Sequence, residues 1–390
     1  MRATCAKINL NNFLFNLKEI RSKINSSSKM CIAVKADAYG HGDVECSTVA
    51  EKCGFVDYLA VACVSEGVTL RKNGISLPIL VLSLCIPEEF DDLISNNLTP
   101  LVFDEEYVGL LAEKCNSLNV KKFNVHLAID TGMGRIGCLP EESGVIAKKI
   151  VDSKVLFLEG MCTHFAVADS LKQKDIEYTE KQYEKFLFAI ENVNKEGINP
   201  GICHCANSAA SLNNKKMHLD MCRSGITCYG YYPGDLSEKY FKESGNEVHL
   251  KPVMTFVSKV VAIRKINALS SVSYGSLWTT PKDTKIAVIP AGYADGVLRG
   301  FNKNGKGFSV AINGKSYPVI GRICMDQFMV EIGEDDSVKR FDEVVIFGSK
   351  EEGALQSAQE IAEITNTISY EITCGVCKQR VPRIFAEAEF

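Results

Sequence analysis

The sequence lacks the features that would place the protein outside the ordinary globular class. It has no stretch of about 18 uninterrupted apolar residues, so we expect no membrane span. It has no long run of like charges, and 44 Lys and Arg balance 48 Asp and Glu to a net charge of −4. No long-range field would therefore attract nucleic acid or anionic lipid. Because repeats and low-complexity tracts are also absent, the expected partners are small molecules or copies of the chain itself.

Cysteine is abundant, yet its distribution does not indicate a disulfide framework. The sixteen cysteines are scattered through apolar runs, as at Cys31, Cys85 and Cys162, in a chain of 390 residues. Disulfide-stabilised secreted domains are much shorter. Residues 1–24 also carry apolar residues at helical spacing among charged ones, without the apolar core of a signal peptide. We therefore expect mostly buried thiols in a reducing cytoplasm.

The pattern of apolar residues predicts two domains. From about residue 30 to 230, short β-branched runs alternate with amphipathic stretches, which is typical of repeated βα units. About eight candidate strands are present, the number that closes a (β/α)8 barrel. After residues 231–250, rich in glycine, serine and charge, short alternating strands follow, with one helix near Ser357 to Ile364. We predict an α/β fold: a TIM barrel over residues 1–237, then a mainly β C-terminal domain over residues 238–390.

The candidate strands follow from these patterns. In the barrel they are Met30 to Lys35, Tyr58 to Cys63, Pro78 to Ser83, Thr99 to Phe103, Phe123 to Ile129, Phe157 to His164, Ile202 to Cys205 and Asp220 to Tyr229. In the second domain they are Met254 to Ile266, Lys285 to Pro290, Phe308 to Ile312, Tyr317 to Ile320, Phe328 to Ile332 and Glu343 to Phe347.

Several polar residues fall where barrel strands end, and in this fold those ends converge on one cavity. Lys35 follows the apolar run CIAV, so desolvation would lower the pKa of its amine and make it a nucleophile. The alternative is a solvated or paired lysine. His164, His204 and Arg223 lie at the same rim. A lone histidine is often a satisfied core group, but three such positions favour a functional site.

Two loops at this rim suit an anion. The segment Asn207-Ser208-Ala209-Ala210 would open a helix, where free N–H groups and a hydroxyl can bind phosphate. Gly225 and Ile226 follow the last strand, where TIM barrels frequently bind phosphate. Metal is not predicted, because the Cys203 to Cys205 cluster and Cys374-x-x-Cys377 each lack a second pair of ligands. The glycine-rich run HLAIDTGMGRIG matches neither a P-loop nor a dinucleotide motif, and its most useful residue is Arg135.

Eight motifs, in order from about Ala6 to Arg383, resemble the alanine racemase family of fold-type III pyridoxal-phosphate enzymes. The resemblance implies a barrel with a β domain, pyridoxal phosphate as cofactor, and interconversion of L- and D-alanine, with D-alanine supplied for peptidoglycan. The motifs are AVKADAYGHG, DTGMGRIG, THFA, ANSAA, RSGITCYG, VSYGSLW, IPAGYADG and GRICMDQFMV.

The resemblance also implies roles for individual residues. Lys35 would bind the cofactor covalently and handle the α-proton on one face, with Tyr274 of a partner subunit acting on the other. Arg223 would face the pyridine nitrogen, oriented by His164. A guanidinium has no proton to give there, so it limits the ring as an electron sink and supports racemisation over side reactions. Arg135 would bridge the Tyr274 phenol and the substrate carboxylate, and its positive charge would lower the pKa of the phenol.

The remaining residues implied by the resemblance surround these. Because residues of two chains would complete each site, the resemblance implies an obligate homodimer. The phosphate contacts match Tyr39, Ser208, Gly225, Ile226 and Tyr370, supported by Asn207 and His204. The partner-subunit residues that close the pocket match Met325, whose backbone would receive the carboxylate, and Asp326. The inner entrance gate matches Tyr293 and Tyr370, with Asp169, Arg299, Arg322 and Ile368 further out.

Two positions depart from the family pattern. Many members have a carbamylated lysine where this sequence has Ala128, so an anion or water would fill the gap beside Arg135, or that arginine would be looser. Ser224 stands where proline is usual. It would relax the backbone that presents Arg223 or add a phosphate contact.

Three other functions remain open from the sequence. A racemase for serine or several amino acids differs only in its pocket, and an apolar pocket rejects an added hydroxyl poorly. A decarboxylase of the same fold would resemble relatives with a glutamate at the pyridine nitrogen, where this chain has Arg223. A pyridoxal-phosphate carrier would resemble the barrel alone, which leaves the second domain without a purpose.

Overall fold

The computed structural model describes residues 2–305 and 307–390, and it confirms the barrel followed by a mainly β domain. Eight parallel strands form one sheet in the order β8-β7-β6-β5-β4-β3-β2-β9. After a first strand β1 (Cys5–Asn9), they are β2 (Lys29–Ala33), β3 (Tyr58–Val61), β4 (Ile79–Val81), β5 (Thr99–Val102), β6 (Phe123–Ala128), β7 (Leu156–Cys162), β8 (Ile202–His204) and β9 (Met221–Ser224).

The barrel is closed between β8 and β9 by isolated backbone hydrogen bonds. The Asp220 N–H donates to the Cys203 carbonyl at 3.1 Å, and the Arg223 N–H donates to the Ala206 carbonyl at 2.8 Å. The strands are buried on both faces, as expected for a parallel sheet covered by helices; β3, for example, is buried along its whole length. The barrel helices span Leu10–Lys23, Asp43–Lys52, Val64–Lys72, Phe90–Ser95, Glu105–Ser117, Ser143–Asp152, Gln173–Lys195 and Ser208–Asn213.

The second sheet has nine strands in the order β11-β14-β17-β16-β15-β18-β10-β1-β19, and β12 and β13 form a separate pair. Two helices accompany it, at Ala358–Thr365 and Ser369–Cys374, whereas the helix Glu238–Glu243 packs against the barrel through Tyr240 and Phe241. The strands are β10 (Met254–Lys259), β11 (Ala262–Ile266), β12 (Ser271–Val272), β13 (Trp278–Thr279), β14 (Thr284–Ile289), β15 (Ser309–Ile312), β16 (Lys315–Ile320), β17 (Phe328–Gly333), β18 (Glu343–Phe347) and β19 (Arg383–Ala386).

Strand β1 joins this second sheet and not the barrel. It pairs antiparallel with β10, placing Cys5 opposite Val257, and parallel with β19, placing Ala6 opposite Arg383. We keep a division near residue 237 as a proposal, with residues 5–9 assigned to the second unit. The polypeptide therefore crosses between the two units twice, and the two units pack against each other.

Several element boundaries differ from the sequence prediction. The last barrel strand ends at Ser224, because Gly225 turns the backbone and Ile226–Tyr229 form a 3-10 turn. The predicted strand Met254 to Ile266 is two strands, β10 and β11. The helix Ser369–Cys374 was not predicted. Among the described residues, no helix combines the length and apolar character needed to cross a membrane.

Candidate active site

A cavity of about 520 Å³ opens at the carboxyl ends of the barrel strands, a volume typical of small-molecule sites. Residues from loops after seven different strands meet in it, although they lie far apart in the sequence. Eleven of the residues named from the sequence line it: Lys35, Tyr39, Arg135, His164, Asp169, Asn207, Ser208, Arg223, Gly225, Ile226 and Tyr370.

Lys35 lies just beyond β2, and its environment favours a neutral amine. Burial lowers the pKa of Lys35, and the positive charges of Arg135 and Arg223 lower it further, while Glu66 opposes them. Removing an ammonium from water and placing cations beside it both penalise the charged form. Lys35 is therefore suited to act as a nucleophile or base, as the sequence predicted.

An unusual turn holds Lys35 in place. The four residues after it, Ala36 to Tyr39, have φ between 51° and 57°, a left-handed conformation that costs about 1 kcal/mol for each non-glycine residue. The C-terminal segment clamps this turn: Lys378 Nζ lies 2.5 Å from the Asp37 carboxylate, and Arg383 Nε donates to the Gly40 carbonyl at 3.0 Å. Packing between the two units thus offsets the backbone strain beside Lys35.

Glu66 also supports the turn, and sequence reasoning missed it. Its carboxylate accepts the Ala36 N–H at 2.7 Å and the Ala62 N–H at 2.7 Å, which ties the ends of β2 and β3 together. Glu66 is the third residue of a helix whose N-cap is Cys63. Since cysteine is not a usual N-cap residue, the sequence carries no recognisable capping signal there.

Replacing Glu66 with glutamine lowers the pKa of Lys35 further. The amide can keep one backbone hydrogen bond, but the negative charge that stabilises the ammonium is lost. The pH dependence of Lys35 acylation, followed by peptide mass spectrometry, should shift to lower pH. Glu113→Gln, an exposed carboxylate on the outer helix Glu105–Ser117, is the control and should leave the profile unchanged. An unchanged profile in Glu66→Gln would contradict the assignment.

Arg223 is buried at the floor of the cavity and is held by several acceptors. Its Nη1 donates to His204 Nδ1 at 2.7 Å and its Nη2 donates to the Thr163 carbonyl at 2.7 Å. The contact from Nη2 to His164 Nδ1 is longer, 3.4 Å. Burial and the charge of Arg223 lower the pKa of His164 to about 3, so that imidazole is neutral and can accept. His164 therefore assists in orienting Arg223, but Thr163 and His204 make the shorter contacts.

The structure places His204 differently from the sequence expectation. It was expected to support the phosphate contacts, yet it is fully buried beneath Arg223 and does not line the cavity. The reason is the alternation of side chains along β8, which directs His204 into the barrel. Asn207 does support the phosphate region, because its Oδ1 accepts the Ala209 and Ala210 N–H groups, each at 3.1 Å, and caps the helix Ser208–Asn213.

One end of the cavity forms a cradle for an anionic group. A Cβ on Gly225 would lie 2.7 Å from the Tyr39 hydroxyl and 3.7 Å from Ser208 Oγ, so only glycine leaves that space open. The Gly225 N–H donates to Ser208 Oγ at 2.8 Å. Two hydroxyls and the backbone of Gly225 and Ile226 thus converge where the sequence predicted a phosphate.

The two departures from the family pattern have different outcomes. Ala128 is buried at the cavity wall, and its methyl group offers no acceptor to the exposed guanidinium of Arg135. Our expectation of an anion or water beside Arg135 stays a prediction. Ser224 is fully buried with its hydroxyl unpartnered, and it does not line the cavity. The Ser224 hydroxyl is therefore outside the cavity lining, which gives no support to the expected phosphate contact.

Four predicted residues lie outside this cavity, on the C-terminal domain. Tyr274 and Met325 are 70% and 51% exposed, and Tyr293 is 39% exposed. The Asp326 carboxylate accepts from Arg380 Nη2 at 2.6 Å, and Arg380 also contacts the fully buried Asp295. These contacts fix the loops that present Tyr293 and Met325 outward. One chain alone does not bring these side chains to Lys35.

Comparison with known proteins agrees with this geometry. Residues 8–233 match a family model described as the N-terminal domain of alanine racemase, and residues 253–385 match its C-terminal domain. A relative from Treponema denticola named alanine racemase is 47% identical over 389 residues, which cover 99% of each chain. Its namesake from Treponema pallidum is 40% identical, covering 99% of this chain and 100% of the relative.

Solved structures give the same result. An alanine racemase from Clostridium difficile 630 superposes with a TM-score of 0.89 at 40% identity, covering 99% of this chain and 96% of that one. The alanine racemase from Bacillus anthracis, solved with bound L-Ala-P, superposes with a TM-score of 0.89 at 33% identity, with the same coverage.

Proposed function

This chain belongs to the alanine racemase family, and from that membership we propose how its own residues interconvert L-alanine and D-alanine. The protein is an enzyme of the isomerase class, as are its full-length relatives. One observation supports this assignment of residues: a partly desolvated Lys35, a buried Arg223 and the cradle around Gly225 line the same cavity.

The residues present fit pyridoxal phosphate, on which the family depends. The space kept open by Gly225, with the hydroxyls of Tyr39 and Ser208 around it, would hold the phosphate together with Ile226 and Tyr370. Arg223 would contact the ring nitrogen, and Lys35 would bind the cofactor covalently. When bound, the cofactor supplies an electron sink that stabilises negative charge at the α-carbon of the amino acid.

Two bases on opposite faces of the α-carbon would carry out racemisation. Lys35 Nζ would remove the proton on one face as the neutral amine that burial favours, and would return it as the ammonium so formed. The Tyr274 phenol of a second copy would do so on the other face. Arg135 would bind the substrate carboxylate, with the Met325 backbone of the second copy beside it. The positive charge of Arg135 would also stabilise the Tyr274 phenolate.

A homodimer is required by this division of roles, because Tyr274, Tyr293 and Met325 are exposed and lie outside the cavity of their own chain. We propose a C2 dimer in which each chain completes the site of the other. We also propose the cytoplasm as its compartment, on the argument from unpaired thiols, and supply of D-alanine for peptidoglycan as its role.

The test is an absorption spectrum of the purified protein followed, in the same sample, by assays for D-alanine from L-alanine and D-serine from L-serine. We expect a band of the lysine-bound cofactor and alanine turnover well above serine turnover. Dominant serine turnover would reassign the substrate. Colour without either turnover would contradict the racemase mechanism, and carbon dioxide release would then indicate a decarboxylase.

Replacing Ala128 with lysine improves alanine binding when bicarbonate is present. Carbamylation of the new amine would place a carboxylate beside Arg135, where Ala128 offers none. An ion pair of about 1 kcal/mol would lower KM for alanine by about fivefold. Steady-state kinetics with and without bicarbonate measure this. Ala128→Met matches the side-chain length without the amine and should show no bicarbonate effect. If Ala128→Lys had the same KM with and without bicarbonate, the inference that Arg135 lacks a carboxylate partner in the parent protein would be contradicted.

A further inference from the structure

Arg223 and three side chains beneath it, each from a different barrel strand, form a continuous chain of hydrogen bonds. Arg223 Nη1 lies 2.7 Å from His204 Nδ1, and His204 Nε2 lies 2.8 Å from His126 Nδ1. His126 Nε2 lies 3.2 Å from Glu159 Oε2. Both imidazoles are fully buried, and the Glu159 side chain is 18% exposed. The chain thus runs through the barrel interior from the cavity floor to a carboxylate near solvent.

The donors and acceptors allow only one direction along this chain. A guanidinium has no acceptor, so His204 Nδ1 must be unprotonated and accept from Arg223. Burial and the charge of Arg223 hold the pKa of His204 well below its ordinary value, so the ring is neutral and its proton is on Nε2. His126 Nδ1 must then accept from His204. The remaining His126 proton, on Nε2, donates to Glu159.

These hydrogen bonds also explain how the buried positive charge of Arg223 is compensated. Arg223 is a buried cation, and its hydrogen-bond acceptors among the described residues are two carbonyls and two imidazoles, with no carboxylate. A buried charge is costly unless it is compensated. Glu159 supplies the opposite charge at the far end, and polarised hydrogen bonds in a low-dielectric interior transmit its effect.

The surroundings of Glu159 and His126 are shaped for this contact. Asn124 Nδ2 donates to the other Glu159 oxygen at 2.6 Å, which fixes the carboxylate. A Cβ on Gly160 would lie 2.6 Å from His126 Cε1, so glycine is needed for the imidazole to fit. Burial raises the pKa of Tyr58 to about 12, and the negative charge of Glu159 contributes to that rise.

We propose that His126 and Glu159 are positioning residues for catalysis: they hold the His204 ring against Arg223 and supply the negative charge that balances that guanidinium. The proposal rests on the proposed function only for the role of Arg223. Neither residue was singled out by the sequence. His126 is one histidine in the apolar strand FNVHLA, and Glu159 is a charged residue inside a strand 33 positions away.

The first test reads the tautomers directly. The sequence has six histidines, so ¹⁵N-histidine labelling of the holoenzyme gives few resonances. Comparison with the His126→Asn variant assigns the resonances of His126 and of its neighbour His204. We expect both rings to be neutral with the proton on Nε2. In Glu159→Gln the amide oxygen can still accept from His126 Nε2, so we expect the tautomers to persist while the lost negative charge shifts the ¹⁵N resonances of both rings. Asp57→Asn removes a carboxylate at the amino-terminal end of the barrel strand β3 and should leave both rings unchanged.

The second test is kinetic. In Glu159→Gln we expect kcat for alanine to fall by about tenfold while KM changes by less than about twofold, because the substrate contacts are intact. Glu159→Asp keeps the charge and should recover part of the loss. An imidazolium or an Nδ1–H tautomer at His204 in the parent protein would overturn the proposal even if every variant failed to fold. Parent kcat in folded Glu159→Gln would also overturn it. Absence of alanine turnover in the parent would overturn the proposed function and leave the tautomer test valid.

Discussion

Lys35→Ala abolishes alanine racemisation in both directions, with a loss of at least about 10⁴-fold in kcat/KM. The amine is the nucleophile that would bind the cofactor and also the base on one face of the α-carbon, so a single substitution removes both roles. The left-handed turn from Ala36 to Tyr39 is held by Lys378 and Arg383 rather than by Lys35, so the fold should survive. D-alanine formation and the absorption spectrum of the cofactor band are the two measurements.

Lys29→Ala is the matched control, because Lys29 is an exposed lysine at the opposite end of the same strand β2. It should retain the cofactor band and parent turnover. The assignment of Lys35 would be contradicted if Lys35→Ala kept the band at the wavelength of the parent protein, since another lysine would then hold the cofactor.

Tyr274→Phe removes proton exchange on one face of the α-carbon and leaves the cofactor bound. The phenol is 70% exposed on its own chain and lies outside the cavity, so its loss should not disturb Lys35 or the phosphate cradle. Racemisation needs both faces and should fall by about 10³-fold. Deuterium incorporation from heavy water, measured by NMR, should persist for the enantiomer handled by Lys35 and disappear for the other. Tyr317→Phe in the same domain is the control.

If both enantiomers still exchanged their α-proton at the parent rate, the two-base assignment would be wrong. Mixed dimers add a second check. A Lys35→Ala chain paired with a Tyr274→Phe chain has one site with both bases and one with neither. Equal mixing of the two inactive proteins should therefore restore about one quarter of parent activity if the bases come from different chains. No recovery after subunit exchange would place both bases in one chain.

Much of the fold was predictable because its signals are local. The eight barrel runs were recognised from short-range periodicity, and the observed strands lie within or within one residue of them. Errors occurred at boundaries, where backbone conformation decides. Gly225 ended β9 early, and the run Met254 to Ile266 divided into two strands. Strand β1 was missed, since the five residues CAKIN carry too little pattern to separate a strand from the start of a helix.

The candidate site was predicted less completely than the fold. Residues inside motifs, such as Lys35, Tyr39 and Ser208, line the cavity as expected. His204 was assigned to the wrong neighbour, because a strand-end position does not say which side chains meet across the barrel. Glu66 and Thr163 were missed: Glu66 follows a cysteine N-cap that gives no capping signal, and Thr163, although inside the motif THFA, acts through its backbone carbonyl.

The sequence by itself determined the number of βα units, the rim positions of Lys35, His164 and Arg223, and membership of the family, because periodicity and motifs are properties of neighbouring residues. Only the tertiary structure decided that β1 completes the second sheet, that the Lys378 region clamps the turn after Lys35, and that Arg223 connects through two imidazoles to Glu159. Each of these contacts joins residues that are remote in sequence. Such contacts depend on how the elements pack and on which side chain fills the space between them, and a pattern along the chain records neither.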